Sequence, residues 1–139
     1  MDEKDRVIVK AFITNSKIPI VEIADALGIT ETAVRKRIRK LEENRVIKGY
    51  TVIVDPYFVG YETVAFVGVD TRPERILTVL KRLKEMQETK NLALTTGDHM
   101  IMFEVWCKDP KELAEFIKKV ESVDGVTRVC PAIYVKRME

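Results

Sequence analysis

Hydrophobic spacing has a different character in the two halves of this 139-residue chain, and the difference demands two differently built parts. Up to Leu41 the apolar residues recur at helical intervals alone, and from Val46 onward β-type runs enter and then alternate with helical stretches. Ile8, Ala11 and Phe12 at i, i+3 and i+4, with Val7 beside them, predict a first helix within Lys4–Phe12 that Asn15-Ser16-Lys17 breaks. Ile20, Ile23, Ala24 and Leu27 predict a second helix of about two turns, with Pro19 as its start and Gly28 as its left-handed stop. Thr30 can cap a third, because its hydroxyl can accept from an otherwise unpaired amide while Glu31 meets the positive helix end. Val34, Ile38 and Leu41 are its apolar stripe. The opposite face carries Thr32, Lys36, Arg39 and Glu43, flanked by Ala33, Arg35 and Lys40, and Arg37 lies at the edge of the stripe.

The run Val46–Val54 is β-type, ended by Asp55-Pro56, with a second break at Gly60, so residues 51–61 are expected to be a linking strand and hinge. The remainder of the chain has a β-α-β-β-α-β rhythm. A strand near Thr63–Asp70 leads to a helix with Ile76, Leu77, Leu80 and Leu83. Strands near Asn91–Thr96 and Met100–Cys107 flank Gly97-Asp98-His99. A helix with Leu113, Phe116, Ile117 and Val120 and a last strand near Thr127–Lys136 complete the unit. This is the split βαβ, ferredoxin-like order, and the fold class is α+β. Both helices of such a unit cover one sheet face, yet both alternating sets of the first and third strands are largely apolar, including Phe66, Met102 and Trp106. A second subunit is the expected cover.

Charge is informative only by position. The chain holds 24 basic and 22 acidic side chains, but residues 1–50 carry 11 against 8 and the window 28–48 carries seven against three. A basic segment thus sits on the third predicted helix. A short helix, a glycine turn and a helix with a basic outer face match the helix-turn-helix plan, in which the second helix of the pair lies in the major groove. Hydroxyls and cations near its start can reach base edges, Arg side chains on its flanks can clamp phosphates, and the Gly49-Tyr50 ribbon would serve as a wing. The alternative reading of the same run is a solvated helix face.

Ile23-Ala24, Leu27-Gly28-Ile29, Val34-x-x-Arg37-x-x-x-Leu41-Glu42-x-x-x-Val46-Ile47-x-Gly49-Tyr50, and Asp55-Pro56 before Gly60-Tyr61 together resemble the Lrp/AsnC (feast/famine) transcriptional regulators. The resemblance covers almost the whole chain. It implies a winged helix-turn-helix DNA-binding domain over 1–50, the linking segment 51–61, and a ferredoxin-like effector-binding and oligomerisation domain over 62–139. It places Thr30, Thr32, Lys36 and Arg39 where recognition contacts fall and leaves Arg35, Arg37 and Lys40 mainly to phosphate. Arg37 has an equal second reading as a salt bridge to an acid such as Glu22 or Asp25. One departure is Pro19, where members often begin the second helix with a Ser or Thr capping box.

By the same resemblance, Thr96, Gly97, Asp98 and His99 correspond to the family's Gly-Asp loop beside an amino-acid pocket. Exposed amides and carbonyls at a glycine turn can hold a carboxylate and an ammonium, and Asp98 can pair with the latter. An ordinary hairpin turn is the alternative. Met100 stands where many members have another acid. The expected partners are double-stranded DNA, a small amino-acid effector and further copies of the chain, as a dimer or a higher oligomer such as an octamer. No cofactor, metal site or catalytic residue is expected, and the location expected is cytoplasmic. Cys107 and Cys130 lack metal or redox spacing and read as buried free thiols. The competing functions are a chromatin-like architectural DNA binder and a small enzyme. The second is poorly supplied with acid–base groups, having one histidine and no phosphate-binding glycine loop.

Overall fold

The computed structural model describes residues 1–136 and 138. The chain divides into two compact units, Met1–Ile53 and Val54–Glu139; the expected hinge, 51–61, spans that division.

The first unit is three helices, α1 (Glu3–Thr14), α2 (Ile20–Leu27) and α3 (Glu31–Glu43). Asp2 caps α1 through a reciprocal box with Asp5, each carboxylate accepting from the other's amide at 2.9 Å. Pro19 is the residue before α2 rather than its first, and its fixed backbone starts the helix without a side-chain cap. Gly28, at φ 65°, ends α2 in the left-handed conformation that only glycine adopts without strain. Ile8, Ile23, Ala24, Val34 and Leu41 are the buried core, with Phe12, Leu27, Ile38 and Ile47 packed around them.

The wing expected at Gly49-Tyr50 is not a ribbon. Residues 46–54 form no strand, because the rest of this unit is helical and offers no ladder partner. Their apolar groups are used otherwise: the amides of Val46 and Ile47 return to Leu41 O, Ile47 packs on the core, and Tyr50 meets Phe12 edge-on at 5.9 Å.

The second unit opens with a 3-10 turn, Pro56–Val59, and continues as β1 (Thr63–Thr71), α4 (Ile76–Lys84), β2 (Lys90–Leu94), β3 (Ile101–Cys107), α5 (Pro110–Glu121) and β4 (Val126–Ile133). The strands are ordered β2-β3-β1-β4 with antiparallel neighbours, the ferredoxin-like arrangement. Ala65, Val67 and Val69 on β1 and Ile101, Phe103 and Val105 on β3 form one sheet face. Val79 and Leu83 of α4 and Leu113, Phe116 and Val120 of α5 close over it. Cys107 belongs to this core, and burial, then the carboxylates of Glu112, Glu88 and Asp109, push its thiol up to about 11. Cys130 is only half-buried, opposite Gly68 on β1. No helix among the described residues is long and apolar enough to cross a membrane, and none of their acidic, His or Cys side chains group as a metal site.

Of the α4 residues with helical spacing, Leu83 is fully buried and Leu77 is 69% exposed. Leu83→Ala should therefore destabilise the chain by about 2–5 kcal/mol, whereas Leu77→Ala should change stability by no more than about 0.5 kcal/mol. Denaturant unfolding of the two variants checks the difference; equal losses would contradict this packing.

Candidate nucleic-acid interface and effector loop

Thr30 performs the capping role, its hydroxyl accepting from the Ala33 amide at 3.1 Å. Beyond it, Thr32, Arg35, Lys36, Arg39 and Lys40 are all exposed along α3. Arg35 lies 4.0 Å from Glu31, a pairing too long and too solvated to hold it. Lys36, Arg39 and Lys40 make no ion pair among the described residues. The helix thus presents two hydroxyls near its start and four cations free to meet an anionic partner.

Arg37 is used differently. Its Nη1 donates to Asp2 at 2.8 Å and to Asp5 at 2.9 Å, with the Arg37 side chain 30% exposed and that of Asp5 only 16%. The intramolecular partner expected at Glu22 or Asp25 is therefore the capping box of α1. Arg37 sits at the rim of the apolar stripe where α1 and α3 meet, so the nearest carboxylates are those that begin α1. The cap itself is legible in the sequence, since Asp2-x-x-Asp5 at the start of a helical period has capping-box spacing; its pairing with Arg37 is not. Lys36, Lys40 and this acidic pair line one groove of about 670 Å³, so Arg37 also offsets carboxylates that would repel a phosphate brought to the lysines.

In the second unit Thr96, Gly97 and Asp98 stand exposed between β2 and β3. The loop is shaped by Thr95, which donates its amide to Met100 O at 2.8 Å and its hydroxyl to His99 O. Met100 packs against the core, and the Thr71 hydroxyl points at its sulfur, a setting in which a carboxylate would lose solvation.

His99 turns away from the exposed turn. Its ring lies over Gly68, where an added Cβ would sit 2.3 Å from Cδ2, and its Nδ1 is 3.2 Å from Asp70 Oδ2. An isolated glycine in a strand often marks such close approach, and that was the available sequence signal for Gly68.

The sheet face away from the helices has its own polar centre. Glu104 Oε1 accepts from the Trp106 indole and the Tyr134 hydroxyl, each at 3.2 Å, and Asn91 donates to Oε2 at 3.4 Å. Tyr61 meets Trp106 edge-on, the Lys90 ammonium lies 5.0 Å from the Trp106 ring centre, and Phe66, 46% exposed, stacks on Tyr134.

Comparison with known proteins agrees with these two units. An AsnC-type helix-turn-helix domain matches residues 1–42, and the Lrp/AsnC ligand binding domain matches residues 64–138. The chain is 46% identical to the HTH-type transcriptional regulator LrpA of Pyrococcus abyssi over 140 residues, covering 100% of this chain and 99% of that protein. Among solved structures, E. coli AsnC is 24% identical with a TM-score of 0.79, covering 99% of this chain and 93% of that one. The transcriptional regulator NMB0573 of Neisseria meningitidis, solved as a complex with L-Met, is 18% identical with a TM-score of 0.79, covering 100% of this chain and 92% of that one. These two structural matches concern fold.

Two outcomes are expected from this geometry. The Asp5 amide and then the Arg37 guanidinium hold the Asp2 carboxyl down at about 2. Stability from this cap is thus complete above the usual carboxylate range and is lost as pH falls from about 4 to about 2. An NMR acid titration should find Asp2 depressed in the wild type and nearer its ordinary value in Arg37→Ala; a titration indifferent to Arg37 would remove the guanidinium from the account. Gly68→Ala should displace the His99 ring and cost about 1–3 kcal/mol. An unaltered His99 imidazole signal in that variant would count against the close approach.

Proposed function

Because the chain belongs to the Lrp/AsnC family of helix-turn-helix transcriptional regulators, with a DNA-binding domain followed by a ligand-binding domain, we propose that it reads specific DNA sequences as a dimer and responds to a small amino-acid effector. The observation that carries this is the outer face of α3, where Thr32, Lys36 and Arg39 are exposed and the two cations have no internal partner among the described residues. Thr32, Lys36 and Arg39 contact base edges, with Thr30 at the helix start, while Arg35 and Lys40 hold phosphates. Arg37 contributes by locking α3 to α1 rather than by touching DNA.

A dimer supplies two copies of α3 for half-sites about 34 Å apart. The uncovered sheet face, with Phe66, Trp106 and Tyr134 around Glu104, is the surface a second copy would cover, and higher assemblies up to an octamer build on that dimer. The effector sits at Thr96, Gly97 and Asp98, with the exposed Asp98 carboxylate taking its ammonium and loop amides its carboxylate, while His99 shapes the loop from behind. The L-Met bound to the Neisseria regulator supports an amino acid as the ligand class. A regulator of this kind works in the cytoplasm.

Selection of genomic fragments by the purified protein, with and without a mixture of common amino acids, tests specificity and effector response together. If about six phosphates are neutralised, affinity for the selected site should fall on the order of a thousandfold between 50 and 200 mM salt, and selected DNA should outcompete random DNA by more than roughly 10³. Equal competition would instead favour an architectural DNA binder. Lys36→Ala with Arg39→Ala should abolish specific binding while oligomer mass is kept, and Asp98→Ala should blunt the ligand effect alone. The reverse pattern would mean that the two modules' roles are exchanged.

A further inference from the structure

We propose that Arg45 is an additional DNA-phosphate contact that anchors the far end of α3 to the duplex, an assignment that rests on α3 being the DNA-reading helix. Among the described residues only Arg45 and Asn91 hold positive φ without being glycine, at 60° and 53°. Asparagine visits that left-handed region readily, whereas an arginine there carries its Cβ too close to the following carbonyl.

The turn leaves no choice of conformation. Asn44 returns its amide to Lys40 O at 2.9 Å, Arg45 to Glu42 O at 3.0 Å, and Val46 and Ile47 both to Leu41 O at 2.9 and 3.1 Å. These bonds reverse the chain from helix to extended and set Ile47 on the core, so whichever residue stands at 45 takes positive φ. Glycine would do so without strain. Instead a long cation stands there, exposed, with no ion pair among the described residues. Its charge near a helix C-terminus gains something from the helix dipole, but Lys40 already occupies the last turn of α3. Strain kept where the fold makes no use of the side chain points to use outside the fold.

Docking geometry places that use on the DNA backbone. The 13 residues of α3 span about 20 Å, and the major groove is about 12 Å wide. With Thr32, Lys36 and Arg39 facing the base edges, the end of the helix beyond them meets the sugar–phosphate wall, as the recognition helix of a homeodomain does. Arg45 is the cation presented there, and Lys48 is the next exposed basic position along the chain.

Arg45→Gly separates the two roles because strain and binding move in opposite directions. In the full-length chain it should melt no lower than the wild type, and slightly higher where strain is relieved. It should bind both a random-sequence duplex and a selected genomic fragment several-fold more weakly. Its log affinity against log salt should be shallower by about 0.9 for each copy bound. Arg45→Lys should keep the wild-type slope, and Arg45→Asn, which tolerates the turn, should match Arg45→Gly. Wild-type affinity and slope in Arg45→Gly, or an Arg45→Lys protein no better than Arg45→Gly, would overturn the assignment while leaving the DNA reading intact. A wild-type chain without salt-dependent DNA binding would overturn both.

Discussion

The contact of Arg37 with Asp2 and Asp5 joins α3 to α1 at the rim of the first unit's core. That core holds only five buried side chains, and helices of 12 and 13 residues have little stability outside a packed structure. Arg37 ties that rim to α1, while the apolar stripe turns Val34 and Leu41 inward and leaves Thr32 and Arg39 outward. The same guanidinium offsets two carboxylates that share a groove with Lys36 and Lys40. One side chain therefore both joins α3 to α1 and prepares the groove electrostatically.

The second unit solves a different problem. Its two helices close over the central strands of one sheet face, leaving Val67, Val69, Ile101 and Val105 without exposure. The other face is partly settled within the chain. Glu104 takes three donors, and the rings of Trp106 and Tyr134 lie over the strands. That surface is neither a dry interior nor an ordinary wet one, because its carboxylate is satisfied while Phe66 remains half exposed. Such a mixture suits a face that meets another protein surface. Gly68, on the inner strand β1, has a related role, its missing Cβ letting His99 fold back and leaving Asp98 outside.

Much of this was legible residue by residue. The three helices and their stops, the order of strands and helices in the second unit, and the exposure of the basic face of α3 all come from spacing and end signals. The failures share a cause. Val46–Val54 has strand-like composition, but a strand exists only where another strand offers hydrogen bonds, and the first unit has none. Cys130 has the apolar neighbours of a buried thiol, but β4 is an edge strand and leaves it half covered.

What the sequence determined by itself is everything carried by short-range spacing: which segments are helical, where Gly28 and Thr30 divide α2 from α3, and which cations lie on the outer face of α3. These are legible because a helix repeats every few residues and a cap acts within one turn. Tertiary structure alone decided the partners of the polar groups that reach across the chain. Arg37 reaches acids 32 and 35 positions away, and His99 reaches Asp70 across 29. It also decided that Arg45 must hold a left-handed turn, since that depends on Ile47 being drawn to the core of three packed helices. Partners chosen across such separations are set by how surfaces pack, and packing is a property of the folded chain that no local period encodes.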